Sequence, residues 1–262
     1  KKQVAVIAGD VTMDWNIATS QGTRGAIPNW SPDLTSGIFW QSGGAAGLAD
    51  LVAAAAASLP PETPWSVRGM DSPRQEVSPS DPQYHHTFTM WAPFLYSLKA
   101  PQEKPAWRVE HFLGIGRSRQ DTTMQVRGDD PAARLVVLDD GGLGFRDQEG
   151  AWPKALQAAG ASPWVVLKMA QPVAQGALWN KLINQHADRL VVITTVNDLR
   201  QTAIQISRNI SWERTAQDVS WELTYNPHVN GLSRCAQVIV SFYSAGAILL
   251  SWKSGRVSAR LF

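Results

Sequence analysis

The chain has 262 residues, 44% hydrophobic and 18% charged, a balance that permits a large folded core and excludes global disorder. A formal net charge of +2, with Lys and Arg scattered rather than striped, argues against a nucleic-acid partner. Cys235 is the single cysteine, so an intrachain disulfide is excluded, and no Cys/His spacing suits a zinc site.

The first element predicted is Val4-Ala5-Val6-Ile7-Ala8, a continuous apolar and β-branched run ending at Gly9-Asp10. It reads as a strand buried on both faces of a parallel sheet. It is too short for the core of a signal peptide, and no later stretch reaches the roughly 18 apolar residues of a membrane span. The expectation is a cytoplasmic protein without a membrane partner.

From Gly43 to Leu59 the chain is Ala-rich, opened by Gly43-Gly44 and closed by Pro60-Pro61, which predicts a helix. Residues 60–106 hold most of the prolines and only short apolar runs, Phe88–Met90 and Phe94–Leu98, and read as an insertion or lid. Strand and helix signals then alternate. Strands are expected at Leu135–Leu138, Trp164–Lys168 and Arg189–Thr194, with helices near Lys154–Ala159 and Ala174–His186.

Ser211 is placed to cap a helix to Leu223, Gln237–Phe242 reads as another strand, and Ala247–Trp252 with Val257–Phe262 reads as a hairpin turning at Ser254-Gly255. The fold class expected is α/β, a mainly parallel sheet with helices on both faces and a small insertion.

Candidate functional residues lie where the apolar runs stop, because open α/β sheets bind ligands outside the carboxyl ends of their strands. Asp10 and Asp14, placed at the end of the first strand, offer acceptors for hydroxyl groups; the alternative is that Asp14 caps a turn and Asp10 bonds local amides. Gly43 and Gly44 allow backbone to approach a ligand, or open the helix for steric reasons alone. Asp139 and Asp140 would face the same crevice and hold a hydroxyl or a metal, or else sit in a solvated turn. Lys168 and Asn197 each follow an apolar strand and are placed to reach a polyphosphate, or simply to end their strands in water. The five histidines lack a Ser or Cys partner, and His85 and His86 would diverge if that segment is a strand.

Three segments in order resemble the ribokinase-like (PfkB-type) carbohydrate kinases: Val6-Ile7-Ala8-Gly9-Asp10-Val11-Thr12-Met13-Asp14, Ser42-Gly43-Gly44-Ala45-Ala46, and Val136-Val137-Leu138-Asp139-Asp140-Gly141-Gly142-Leu143-Gly144. Thinner similarity continues at Val191–Asn197 and Ser244–Leu249. The resemblance implies a sugar or nucleoside held near Asp10, Asp14 and the Gly pair, and ATP or another nucleotide with Mg²⁺ near Lys168 and Asn197. Val196–Arg200 and Ile206–Arg214 are also similar to bacterial kinase-like modules joined to a ryanodine-receptor-type domain.

The family's catalytic run, Asp-Thr-x-Gly-Ala-Gly-Asp, does not occur in these 262 residues. In that family its glycine amides bind the transferring phosphate and its last Asp takes the hydroxyl proton. Its expected place is beyond Phe262, so the chain either has lost the run or is cut before it, and it reads as part of a longer protein. Three functional readings stand: a non-catalytic nucleotide- or small-molecule-binding sensor or scaffold (a pseudokinase), a truncated ATP-dependent carbohydrate or nucleoside kinase, and a structural interaction domain. Further domains of the same polypeptide are expected partners, and a homodimer is allowed.

Overall fold

The computed structural model describes residues 2–18, 36–70, 88–91, 106–113, 126–142, 144–170, 176–202, 204–207, 211–226, 231–253 and 256–262. His85, His86, His228, the run Phe94–Leu98, Leu143 and most of the 60–106 stretch lie outside them.

The apolar runs form the strands expected of them. They are β1 (Gln3–Gly9), β7 (Leu135–Asp140), β8 (Trp164–Met169), β9 (Leu190–Thr195) and β10 (Gln237–Ser241). Between β1 and β7 come β2 (Val11–Ala18), β3 (Ser36–Gly43), β4 (Trp65–Arg68), β5 (Phe88–Trp91) and β6 (Ala106–Leu113). After β10 the chain ends in the predicted hairpin, β11 (Ala247–Lys253) and β12 (Arg256–Leu261).

The main sheet has eight strands in the order β12-β11-β10-β9-β8-β7-β1-β4. Every pair from β4 to β10 is parallel, and the pairs β10–β11 and β11–β12 are antiparallel. The α/β class with a mainly parallel sheet is therefore as expected. The second sheet is antiparallel, in the order β3-β2-β6-β5.

Among the described residues the α-helices are α1 (Gly44–Ala57), α2 (Lys154–Gln157), α3 (Ala177–Gln185), α4 (Val196–Arg200) and α5 (Trp212–Tyr225). The path from β1 through α1 to β4 runs toward one margin of the sheet, whereas β7, β8, β9 and β10 step toward the other. Right-handed crossovers then place α1 on one face and α2, α3 and α5 on the opposite face. Burial follows that division. In β1 and β7, which are covered from both sides, Ala5, Val6, Ile7, Ala8, Val136, Val137 and Leu138 are at most 5% exposed. In β8, Val165, Leu167 and Met169 are buried while Trp164 and Lys168 on the other face are exposed. Each fully buried Leu, Ile or Val side chain contributes about 1.5–3 kcal/mol relative to exposure.

Two details differ from the sequence reading. Asp14 does not stand at the carboxyl end of β1. Gly9, at φ 143°, and Asp10 turn the chain directly into β2, where Asp14 is registered opposite Gln41 and Glu110. The stretch 60–106 is also not uniform: Trp65–Arg68 forms the edge strand β4 of the main sheet, and the second sheet draws β2 and β3 from the connection between β1 and α1.

Candidate functional site

The strand order reverses at β1 and β7, so the crevice of this sheet opens at their carboxyl ends. Gly9 is registered with Asp139, and the two chains approach so closely that a Cβ on Gly9 would lie 2.1 Å from the Asp139 carbonyl oxygen. The next amide, Asp10 N–H, donates to that carbonyl at 2.8 Å, and the Asp10 carbonyl accepts from the Ala45 amide at 2.8 Å. One residue thus ties the end of β1 to both β7 and the first turn of α1.

Three carboxylates gather here. Asp10, 1% exposed, accepts the Phe145 N–H on Oδ1 at 3.1 Å. Asp139, 5% exposed, accepts from Lys168 Nζ at 2.8 Å, its registered neighbour on β8. Asp140 takes the Gly142 N–H at 3.1 Å and Arg146 Nε at 3.0 Å on the same oxygen. Burying carboxylates costs several kcal/mol each unless charge and hydrogen bonds compensate, and here both are supplied. The Lys168 side chain remains 57% exposed, so its ammonium reaches solvent while holding Asp139.

The glycine pair stands beside this cluster. Gly43 is registered with Thr12 and Gly44 bridges Val11. Gly44 adopts φ 57°, a left-handed conformation that favours glycine, and α1 begins there with neither a side-chain cap nor an acid in its first turn. The α1 N-terminus therefore turns the positive end of its dipole toward the crevice, with the Ala45 amide already bonded to the Asp10 carbonyl.

The structure thus brings Asp10, Gly43, Gly44, Asp139, Asp140 and Lys168 to one edge. Asp14 lies two positions along β2 from Thr12, the residue opposite Gly43. Asn197 is farther along the same edge, in α4 after β9, rather than in an open turn. Its Oδ1 accepts from Arg200 Nη1 at 3.2 Å. The start of α4 is closed by its own capping box, in which Thr195 Oγ1 accepts the Asp198 N–H and Asp198 accepts from the Thr195 backbone.

Sequence reasoning missed Arg146 and Tyr243. Arg146 sits in the 3-10 turn Phe145–Asp147, and the available signal was a cation shortly after the acid pair. Tyr243 has φ 58°, rare for a bulky residue, and its Oη lies 3.3 Å from Thr195 Oγ1, linking the ends of β10 and β9. Nothing in the local sequence announces it. Among the described residues no group of three or more His, Cys, Asp or Glu is placed to hold a metal ion, and no helix is long and apolar enough to cross a membrane.

No protein-family model matches this chain, and no curated protein matches it. Among solved structures it is similar to a 2-dehydro-3-deoxygluconokinase from Thermotoga maritima, at 13% identity and a TM-score of 0.40. That similarity covers 100% of this chain and 79% of the kinase chain.

Proposed function

We propose that this chain is a ribokinase-like domain that binds a small polyhydroxylated molecule or a nucleotide at the carboxyl edge of its parallel sheet. In this reading it acts as a sensor or scaffold within a longer protein, not as a phosphoryl-transfer catalyst. One observation carries the binding part: the buried acids Asp10, Asp139 and Asp140, with Lys168, converge at the point where the strand order reverses. Retaining such groups in a sheet otherwise built of Val, Leu and Ile favours a ligand site over an apolar structural module.

The chemistry assigned to each group follows from its exposure. Asp139 and Asp140 accept from ligand hydroxyls by exchanging the bonds they now make with Lys168 and Arg146. Lys168 and the uncapped first turn of α1 suit an anionic group such as a phosphate. Mg²⁺ would arrive with the nucleotide and supply charge neutralisation of its phosphates; the chain's own residues bind and orient. The non-catalytic reading is confined to these 262 residues, which do not contain the glycine-rich Asp run. The narrower likeness to modules joined to a ryanodine-receptor-type domain rests on Val196–Arg200 and Ile206–Arg214 alone.

The test is calorimetric titration of the chain with ATP and Mg²⁺, ADP, and a panel of sugars and nucleosides, alongside an assay of ADP release. Binding of at least one of these compounds is expected, weakened about tenfold or more by Asp139→Asn, with ADP release at background. Failure of every compound to bind would overturn the ligand reading. Turnover abolished by Asp14→Ala or Asp139→Ala would replace the sensor with an active kinase.

A further inference from the structure

The connection from β7 to α2 carries clamps on two of the buried acids. Asp140 Oδ1 accepts from Arg146 Nε at 3.0 Å, and Asp10 Oδ1 accepts the Phe145 N–H at 3.1 Å. Phe145 and Arg146 are consecutive residues of the 3-10 turn Phe145–Asp147, so one short turn grips carboxylates from the ends of β1 and β7. Its local sequence gives that turn little stiffness. Gly142 at φ 76° and Gly144 at φ 127° precede it, and glycine loses more freedom on ordering than any other residue. Its own bonds, from Asp147 N–H to the Gly144 carbonyl and from Gln148 N–H to the Phe145 carbonyl, are both 3.2 Å long. The turn has to be fixed from outside.

Trp152 is placed to fix it. Its indole Nε1–H donates to the Phe145 carbonyl at 3.1 Å within the core. A buried tryptophan ordinarily finds some acceptor for its N–H. Here the acceptor already takes the Gln148 N–H, so it does not need the indole to be satisfied, and it belongs to the residue whose own N–H holds Asp10. Trp152 also stands on a firm support. Its backbone N–H donates to the Glu149 carbonyl at 3.1 Å, and Gln157 Nε2 donates to the Glu149 and Trp152 carbonyls at 3.0 and 2.9 Å. Pro153 follows with its φ set by the ring, and the Lys154 N–H donates to Asp129 Oδ2 at 2.6 Å, tying the start of α2 to the turn before β7.

We infer that Trp152 is a positioning residue for the carboxyl-edge site, its indole N–H fixing the turn that aims Asp10 and Asp140. The role rests on the ligand reading proposed above, and Trp152 itself touches no ligand in it. A ligand hydroxyl that takes Asp140 from Arg146 removes one clamp from the turn. With the indole in place the turn stays held at Phe145 and Asp10 keeps its aim; without it, the glycines let the turn follow Arg146. Binding sites keep their geometry to within about 0.5 Å only when such a supporting layer is present.

Trp152→Phe keeps an aromatic ring in the core and removes the N–H. Amide hydrogen exchange of the intact chain, read by NMR, should show the Phe145 amide exchanging about tenfold faster in this variant, measured relative to the Val137 and Leu138 amides of β7. Calorimetry with ATP and Mg²⁺, adenosine and ribose should show that a probe bound by wild type is bound about tenfold more weakly by the variant. Should Trp152→Phe not fold, Asp10→Ala reads the same chain of bonds from its other end, and the Trp152 indole proton should then exchange faster relative to those β7 amides. A Phe145 amide that keeps its rate, or accelerates only in step with Val137 and Leu138, overturns the inference by reducing Trp152 to core packing. So does a probe that binds wild type and Trp152→Phe alike. If none of the probes binds while the Phe145 amide accelerates alone, the ligand reading falls and the fastening of Asp10 through Trp152 stands.

Discussion

The two edges of the parallel sheet treat polar groups in opposite ways. At the carboxyl edge, Asp10, Asp139 and Asp140 are buried as acceptors, each holding an amide or a cation. At the amino edge the connections close mainly through backbone bonds, such as Arg134 N–H to the Val4 carbonyl and Trp164 N–H to the Arg134 carbonyl, both at 2.9 Å. A buried titratable group there is His186, 3% exposed, whose Nε2 has no hydrogen-bond partner among the described residues. The first edge buries its charges, whereas the second leaves charged side chains such as Arg134 and Asp188 exposed and buries the imidazole of His186. That asymmetry is why a ligand site is sought at only one of them.

Three substitutions test the carboxyl edge, in falling order of effect. Gly9→Ala forces a Cβ onto the Asp139 backbone at a φ that alanine avoids, and should cost about 4 kcal/mol or leave the chain unfolded by circular dichroism. Asp10→Ala strips the Phe145 amide of its acceptor in a buried site, and should cost about 2 kcal/mol in urea titration. Lys168→Met removes a half-exposed cation, so its expected stability cost is about 1 kcal/mol or less, measured the same way. If Lys168→Met proved as damaging as Asp10→Ala, Lys168 would be a structural counter-charge rather than a group available to an anion.

The parallel half of the fold was legible because β1, β7, β8 and β9 are short apolar runs that leave a buried strand as their natural reading. The α1 helix was equally plain from its alanines. What the sequence reading lost was the second sheet. In β2 the alternation of Val11, Met13, Trp15 and Ile17 with Thr12, Asp14, Asn16 and Ala18 is a period-two strand signal, whereas the sequence reading places Asp14 at the end of the first strand, facing a ligand or capping a turn. The site residues at strand ends were found by rule, since strand direction alone brings Asp10, Asp139 and Lys168 to one edge. Their pairing was not readable. Lys168 meets Asp139 only because the β7–β8 register sets them side by side, and Arg146 meets Asp140 only through a 3-10 turn that no pattern announces.

The amino edge makes its own prediction through His186. Burial, reinforced by the nearby Lys181, holds its imidazole below the ordinary histidine value of about 6.5, with Arg189 acting in the same direction and Asp188 against it. Above that value the imidazole is neutral in both folded and unfolded chains and contributes no pH dependence. Below it the unfolded chain takes up a proton that the folded chain resists, so the unfolded state binds more protons and folding stability falls with acid. The loss stops deepening only once pH passes below the lowered folded value. Urea unfolding measured from pH 7.5 down to pH 5.5 should therefore show a decline that His186→Gln flattens, since glutamine fills similar space and does not titrate. An unchanged slope in that variant would show that the acid sensitivity does not arise at His186, and the contrast between the two edges would lose its electrostatic half.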